Sequence, residues 1–372
     1  MLANKVLGVI FANVHDDFVP NLTKNRSMAS IPFGGRYRLI DFSLSNLVNA
    51  GINTVGVIPQ NNYHSLMNHL GSGKAWDLDR KTGGLFILPP YLKGEMRQNS
   101  GHIDSLLSIT NFLMHSDEKD VILCDTDVVS NIDILKMYKK HIDKNSDVTI
   151  AYKEGTIPKN NSDIMTFKLA EDERIIGITM PKISETALNF SLDTIIINRR
   201  LLLDLIEKAK TKNLTHLWRE MFMPQVKKLN FYGYKVTSPT FVIDSEKSFA
   251  DANFALLEPN VRNALFNPNR PIYTKVRDDM STNFGTDAKV SNSLIADGCV
   301  IEGSVVNSVL FRGVKIEKGA MVKNCILMQD TIINENTSVE YILTDKSVKI
   351  SKNTDLKGAK SHLMYIEKSA VI

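Results

Sequence analysis

The sequence predicts two architectures in tandem. An α/β domain with a mostly parallel, Rossmann-like sheet over residues 1–257 is followed by a connecting segment, 258–286, and a left-handed parallel β-helix over 287–372. Three observations carry this reading. Short apolar runs alternate with amphipathic segments through the first two thirds, the pattern of parallel strands covered on both faces by helices. Beyond Asp287, aliphatic residues recur at every sixth position. Between the two regions lies a stretch with several prolines and little periodicity, which reads as a connection.

Taken in order, "KVLGVI" is a short apolar strand, and "DFSLSNLVNAG" places Phe42, Leu44, Leu47 and Val48 near helical spacing with Gly51 just past the helix end. "TVGVIP" is a strand that Pro59 stops. "HIDSLLSITNFLMHS" reads as helix, "DVILC" as strand, "NIDILKMYKKHIDK" as helix and "DVTIAYK" as extended chain. "SLDTIIIN" followed by "RRLLLDLIEKAK" repeats the pair. In such sheets ligands bind beyond the carboxyl ends of the strands. In the last region the six-residue series runs Ile295 and Ile301, then Leu310, Ile316, Val322 and Met328, and after a one-residue slip Ile333 and Val339. One inward residue per short strand, with Gly298, Gly303, Gly313 and Gly319 at the turns, predicts about four coils of β-helix. The long connection is expected to pack against one of the domains.

Composition excludes several classes of function. An apolar share of 43% and a charged share of 23% are those of a globular protein able to bury a core without disulfides. A formal charge of +4 over 372 residues makes no case for nucleic acid or membrane partners. Cys124, Cys299 and Cys325 lie far apart, without thiol-pair or zinc spacing. The apolar run near the N-terminus is too weak for a secretory signal, so the expected location is cytoplasmic.

The stretch "IPFGGRYRLIDFSLSNLVNAGI", with "HSL" downstream and a hexapeptide β-helix at the end, closely resembles the bacterial glucose-1-phosphate adenylyltransferase (ADP-glucose pyrophosphorylase) family over nearly the whole chain. The resemblance implies a nucleotidyltransferase domain that joins ATP and glucose 1-phosphate, with Mg²⁺, into ADP-glucose and pyrophosphate. It also implies a Gly-Gly-x-Gly-x-Arg loop after the first strand and an Ala-Lys-Pro run beyond it. The glycines let backbone N–H groups close on the triphosphate, and the two cations neutralise the leaving pyrophosphate.

This chain departs from that pattern. Counting back from Phe33-Gly34-Gly35, the loop glycines become Asn13, Val14 and Asp16, the arginine becomes Phe18, and the lysine becomes Met28. An aspartate about 6 Å from a phosphate charge adds roughly 2–3 kcal/mol of repulsion at a surface-like dielectric. Each lost charge-assisted bond costs roughly 1.5–3 kcal/mol more. The family's Gly-Thr-Ala-Asp-Ala segment corresponds to Gly101-His102-Ile103-Asp104-Ser105. Its metal-binding aspartates correspond to Asp127, or with a one-residue shift Thr126, and to Asp244. Its sugar-phosphate lysine position falls on Met180 or Pro181, with Lys182 displaced beside it.

The expectation is therefore a non-catalytic or weakly catalytic subunit, similar to the D-type regulatory subunits of heteromeric members of the family. No catalytic residue and no metal ligand set is assigned; Asp127 and Asp244 are vestigial positions, and Mg²⁺ enters only with residual nucleotidyl transfer. Candidate substrate or effector contacts are Lys24, Arg26, Arg36, Arg38, Gly101, Asp104 and Lys182. The four basic residues form either a patch for a phosphorylated effector or a set of surface salt bridges. The expected partner is a catalytic glucose-1-phosphate adenylyltransferase subunit. The alternatives are an active sugar-nucleotidyltransferase and a stand-alone sugar-phosphate or nucleotide sensor. Asp125 and Asp127 read as helix-capping carboxylates, with a metal pair as the alternative. Asp16 and Asp17 read as a solvated turn, His64 as a helix-start histidine, and Trp76 and Trp218 as packing residues.

Overall fold

The computed structural model describes residues 2, 5–89, 101–157, 164–181 and 186–372. Lys182 lies outside the described residues. Strands Asp120–Cys124, Val6–Phe11, Thr54–Ile58 and Gly84–Ile87 lie side by side and parallel. The first strand shows why the chain builds two layers of helices. Val6 and Ile10 face one core, shared with Leu44, Leu47 and Met137 of helices Leu39–Asn49 and Ile134–Asp143. Leu7, Val9 and Phe11 face the other, shared with Leu106, Leu113, Leu202 and Leu205. Side chains alternate faces along a strand, so a continuous apolar run means that both faces are covered.

Next to the parallel block, Leu188–Asn198 pairs antiparallel with Asp120–Cys124 and with Val148–Gly155. Its register slips between Ser191 and Ile195, where Asp193 takes a left-handed φ of +44°. A bulge of this kind turns one side chain out of the alternation and is common beside functional sites. Here it delivers Asp193 to the end of the sheet where the first strand's loop begins.

The "PFGGRYR" stretch is a tight hairpin, Pro32–Phe33 against Tyr37–Arg38. Gly34 and Gly35 have φ of +58° and +84°, and a Cβ on Gly34 would lie 2.9 Å from Leu256 Cδ1. Glycine is required there for both reasons. The hairpin sits on the β-helix: a Cβ on Gly35 would meet Ala296.

The C-terminal region is a left-handed parallel β-helix whose three faces each carry five strands, the first face running from Asn283–Phe284 to Lys349–Ile350. Five coils form where about four are expected: the series from Ile295 to Val339 begins in the last strand of the first coil, which opens at the exposed Asn283–Phe284, and stops before the fifth coil, Lys349–Ile350 to Met364–Ile366. Ile301, Leu310, Ile316, Val322, Ile333 and Val339 fill the interior. Met328 does not; the slip in period turns it outward, and Leu327 fills the interior instead. At one corner Asn292, Asn307 and Asn324 adopt left-handed φ and donate side chain to side chain up the stack, at 2.9 and 2.6 Å.

The two regions share a core. Val309, Phe311, Ile326, Met328 and Leu343 of the β-helix pack with Leu22, Met28, Phe33, Phe42, Phe249 and Leu256 of the α/β region. Each fully buried side chain of this size contributes roughly 1.5–3 kcal/mol, so the β-helix is docked and not tethered. The connection runs through helix Pro259–Leu265 and along the α/β surface, where Asn49 donates to Pro271 O, Ser45 Oγ accepts from Tyr273 N–H, and Lys275 donates to Asn68 O.

Candidate functional site: a closed phosphate loop and a cationic cavity

The loop after the first strand folds as three single turns, Asp16–Phe18, Pro20–Thr23 and Met28–Ser30. Its own side chains hold it shut. Asp16 accepts from Asn13 Nδ2 at 2.7 Å and from the Met28 N–H at 2.7 Å. Asn13 also donates to Asn61 O and accepts from the Gln60 N–H. Asp16 is thus a structural anchor and not a solvated turn residue. Burial pushes its carboxyl up to about 6 against the pull of those two bonds. Asp17 remains exposed. Met28 is fully buried in the shared core, leaving no opening at the position of the family's lysine.

Below this loop the fold assembles five titratable groups from four separate segments. His15 Nε2 and His102 Nε2 each lie 2.8 Å from Asp125 Oδ2. Asp127 is fully buried, its Oδ2 is 4.0 Å from His15 Nε2, and neither of its carboxylate oxygens has a hydrogen-bond partner. Asp193 joins from the bulge, its backbone carbonyl accepting from the Asp125 N–H and its Oδ1 accepting from Ser191 Oγ. The helix-capping role expected for Asp125 and Asp127 is corrected, since Asp133 caps helix Ile134–Asp143.

The electrostatics follow from packing these groups out of water. Burial opposes charge on His15, but Asp127 and the bond to Asp125 outweigh it and push the imidazolium up to about 10. Burial would raise Asp125, yet His102 and His15 hold it well below the usual carboxylate range. Burial raises Asp127 to about 7, reinforced by Asp125 and Asp193 and opposed by His15. Asp193 is raised as well, by burial and then by Asp125.

Above the cluster lies a cleft of about 460 Å³, lined by His15, Asp17, Phe18, Gly101, His102, Met180, Asp193 and Trp218 among others. Phe18, at the family's arginine position, stacks on His15 with centroids 4.8 Å apart. Gly101 is the N-cap of helix His102–Ser108 and touches the cleft. Asp104 is half-buried in that helix's first turn and is not among the residues lining the cleft. Asp244 is buried, accepts from Ser245 Oγ at 3.1 Å, and lies outside the group of ligand atoms that gather around His15. The Mg²⁺ pair implied by the family resemblance therefore does not fit: two imidazoles approach where an all-oxygen shell is wanted.

A second site lies between the hairpin and the β-helix. A cavity of about 220 Å³ is lined by Arg36, Arg38, Lys275, Arg277, Arg312 and Lys346, with no carboxylate among its lining residues. Arg36 pairs with Asp297 at 2.7 Å, and Arg38 donates to Ser65 O and Oγ. Arg312 stands 3.4 Å from Asp279. Burial pushes the Arg38 guanidinium down to about 10. Burial, then Arg38 and Arg26, push the Lys346 ammonium down to about 7. Lys24 and Arg26 are not in this cavity. Lys24 forms an exposed pair with Glu367, while Arg26 is buried in a two-bond pair with Asp345 at 2.7 and 2.8 Å.

Sequence reasoning missed His15, His102 and Asp193 in one site, and Lys275, Arg277, Arg312 and Lys346 in the other. No spacing could have found them, because each site draws on segments far apart in the chain. His64 starts helix His64–Leu70 and bonds Asn68. Trp76 and Trp218 are packed in the cores, and Trp218 also lines the cleft.

Comparison with known proteins sets these sites in a family. Residues 19–162 match the nucleotidyl transferase family and residues 277–360 the GlmU-like C-terminal hexapeptide family. The chain is 35% identical to the glycogen biosynthesis protein GlgD of Bacillus subtilis over 378 aligned residues, covering 100% of this chain and 98% of that protein. It is 36% identical to GlgD of Geobacillus stearothermophilus over 323 residues, 86% of this chain and 83% of that one. A glucose-1-phosphate adenylyltransferase of Bacillus cereus is 30% identical over 366 residues, 96% of each. Matching such relatives from end to end, with the nucleotidyl transferase and hexapeptide regions in that order, the chain belongs to the glucose-1-phosphate adenylyltransferase family, among its GlgD-type members.

Proposed function

We propose that this chain is a non-catalytic regulatory subunit in glycogen biosynthesis, joining a catalytic glucose-1-phosphate adenylyltransferase subunit and altering its response to substrate and effector. The observation that carries the reading is the closed loop. Asp16 ties Asn13 to the Met28 N–H, and the N–H groups of Asp16, Phe18 and Val19 bond carbonyls of the loop itself, so these backbone donors are turned away from any triphosphate. His15 and Asp125 take up the space beneath with an ion pair. A backbone donor already bonded within the protein is not free to cradle phosphate.

The six-cation cavity supports the regulatory half of the proposal. It lies on the seam between the α/β region and the β-helix, where a phosphorylated effector would bridge the hairpin's Arg36 and Arg38 to Arg312 and Lys346. Such a ligand relieves repulsion among cations that now face one another, so it favours whichever arrangement of the seam it binds best. Coupling to a partner subunit follows if that arrangement also sets the partner's substrate affinity.

The test is to measure ADP-glucose formation by this chain alone, by a catalytic homologue alone, and by the two co-purified. The expected result is negligible turnover alone, co-elution, and a shifted substrate saturation curve for the mixture. Turnover by the isolated chain within tenfold of the catalytic homologue would favour an active nucleotidyltransferase. Absence of both co-elution and kinetic effect would leave the stand-alone sensor as the better reading.

A further inference from the structure

We infer that the vestigial cleft is a binding site for a transition-metal divalent cation of the Zn²⁺ class, held by His15, His102 and Asp125, with Asp127 and Asp193 gathered around the same His15 and Asp125. The ligand atoms of His15, His102 and Asp125 lie within 4.8 Å of one another, as do those of His15, Asp125, Asp127 and Asp193. The independent sign of a ligand is Asp127. It is fully buried, and both of its carboxylate oxygens lack a partner. A buried carboxylate with two empty acceptors is costly unless something positive binds it.

The donor set selects the metal class. Imidazole with carboxylate suits Zn²⁺ and its first-row neighbours, whereas Mg²⁺ and Ca²⁺ want oxygen alone. A tetrahedral metal at about 2.1 Å from each ligand sets its ligands about 3.4 Å apart. His15 Nε2 and His102 Nε2 each stand 2.8 Å from Asp125 Oδ2. A hydrogen bond holds each pair in this structure, and each pair opens by roughly 0.6 Å to admit the metal. On binding, the proton between each imidazole and Asp125 leaves for solvent and the nitrogen lone pair turns to the metal, so uptake releases protons. The loop above is fastened by Asn13 and Asp16, which are not ligands, so the site is preformed.

The experiment titrates the chelator-stripped full-length chain with Zn²⁺ calorimetrically, and with Co²⁺ by visible absorption. One equivalent should bind, with proton release, Co²⁺ bands of nitrogen and oxygen ligation, and no thiolate charge-transfer band. The double variant His15→Ala/His102→Ala and the single variant Asp127→Asn should each weaken binding at least tenfold. Asp127→Asn in chelator should melt no lower than the parent, since it removes a buried carboxylate that makes no hydrogen bond; His102→Gln is the second variant if it does not fold. A hundredfold excess of Mg²⁺ should leave Zn²⁺ bound. Unchanged Zn²⁺ affinity in the double variant, a thiolate band, ready displacement by Mg²⁺, or no stoichiometric binding would each overturn the assignment and leave the cluster as an ion-pair network only.

Discussion

Beside its apolar core, the seam between the two regions carries a buried ion pair, Arg26 with Asp345, and Asp345→Ala tests it. Arg26 and Asp345 are 3% and 1% exposed, and the guanidinium Nη2 donates to both carboxylate oxygens. Arg26 Nη1 is buried without a partner, so the guanidinium has no reserve of bonds. Removing Asp345 leaves a buried cation uncompensated, a change that costs about 3–5 kcal/mol. At about 2 °C per kcal/mol for a protein of this size, the melting temperature should fall by roughly 6–10 °C. Arg26→Met/Asp345→Leu removes both charges together and should recover part of that loss. Recovery stays incomplete because the Lys346 N–H and the Tyr365 hydroxyl also bond Asp345. Urea and thermal unfolding of the parent, Arg26→Met, Asp345→Leu and the double variant close the cycle. A cost below about 1 kcal/mol for Asp345→Ala, or a double variant no better than the single, would refute the claim that unpaired burial sets the magnitude.

Three further outcomes follow from the same geometry. Phe18→Arg/Met28→Lys should not restore ADP-glucose synthesis, assayed as pyrophosphate release, and should lower stability, because Met28 lies in the apolar shared core where an ammonium is costly. The parent should run roughly 10²–10⁴-fold slower than an active relative, from two lost charge-assisted bonds at about 1.36 kcal/mol per decade. In the six-cation cavity, Arg312→Ala should weaken binding of inorganic phosphate or a sugar bisphosphate about tenfold, measured by calorimetry. The folded ammonium of Lys346, pushed down to about 7, holds fewer protons above that pH than the unfolded chain does. Its contribution to stability therefore rises with pH from about 7 towards 10, while anion affinity falls over the same window; Lys346→Met should flatten both. Gly303→Ala should destabilise the β-helix by about 1–3 kcal/mol in urea, since its Cβ would lie 2.4 Å from Ala320 O and 2.8 Å from Glu317 O.

Much of the architecture is legible in the chain itself. Continuous apolar runs such as "VLGVI" require two covered faces, and the fold meets that demand with alternate residues in two cores. The six-residue period locates the β-helix because one inward residue per strand is a local rule. The substitutions at Asn13, Val14, Asp16, Phe18 and Met28 are likewise local, so loss of the phosphate grip can be read without coordinates. Coil number is less legible: the first coil opens with Asn283–Phe284, which pairs through its backbone with exposed side chains that carry no periodic signal.

What the sequence by itself determined, then, is everything governed by near neighbours: the alternation of strands and helices, the hexapeptide coils, the absence of glycines from the loop, and Phe18 and Met28 in place of the family's arginine and lysine. Tertiary structure alone decided where charges meet. Lys24, Arg26, Arg36 and Arg38 look alike in sequence, yet one is solvated, one is buried against Asp345, and two face a cavity completed by Arg312 and Lys346. His15, His102, Asp125, Asp127 and Asp193 become one cluster only because parallel strand ends and one bulge converge at the same edge of the sheet. The physical reason is range. Propensity and periodicity act over a few residues, whereas the energy of a buried charge depends on every group within several ångströms, whatever its place along the chain.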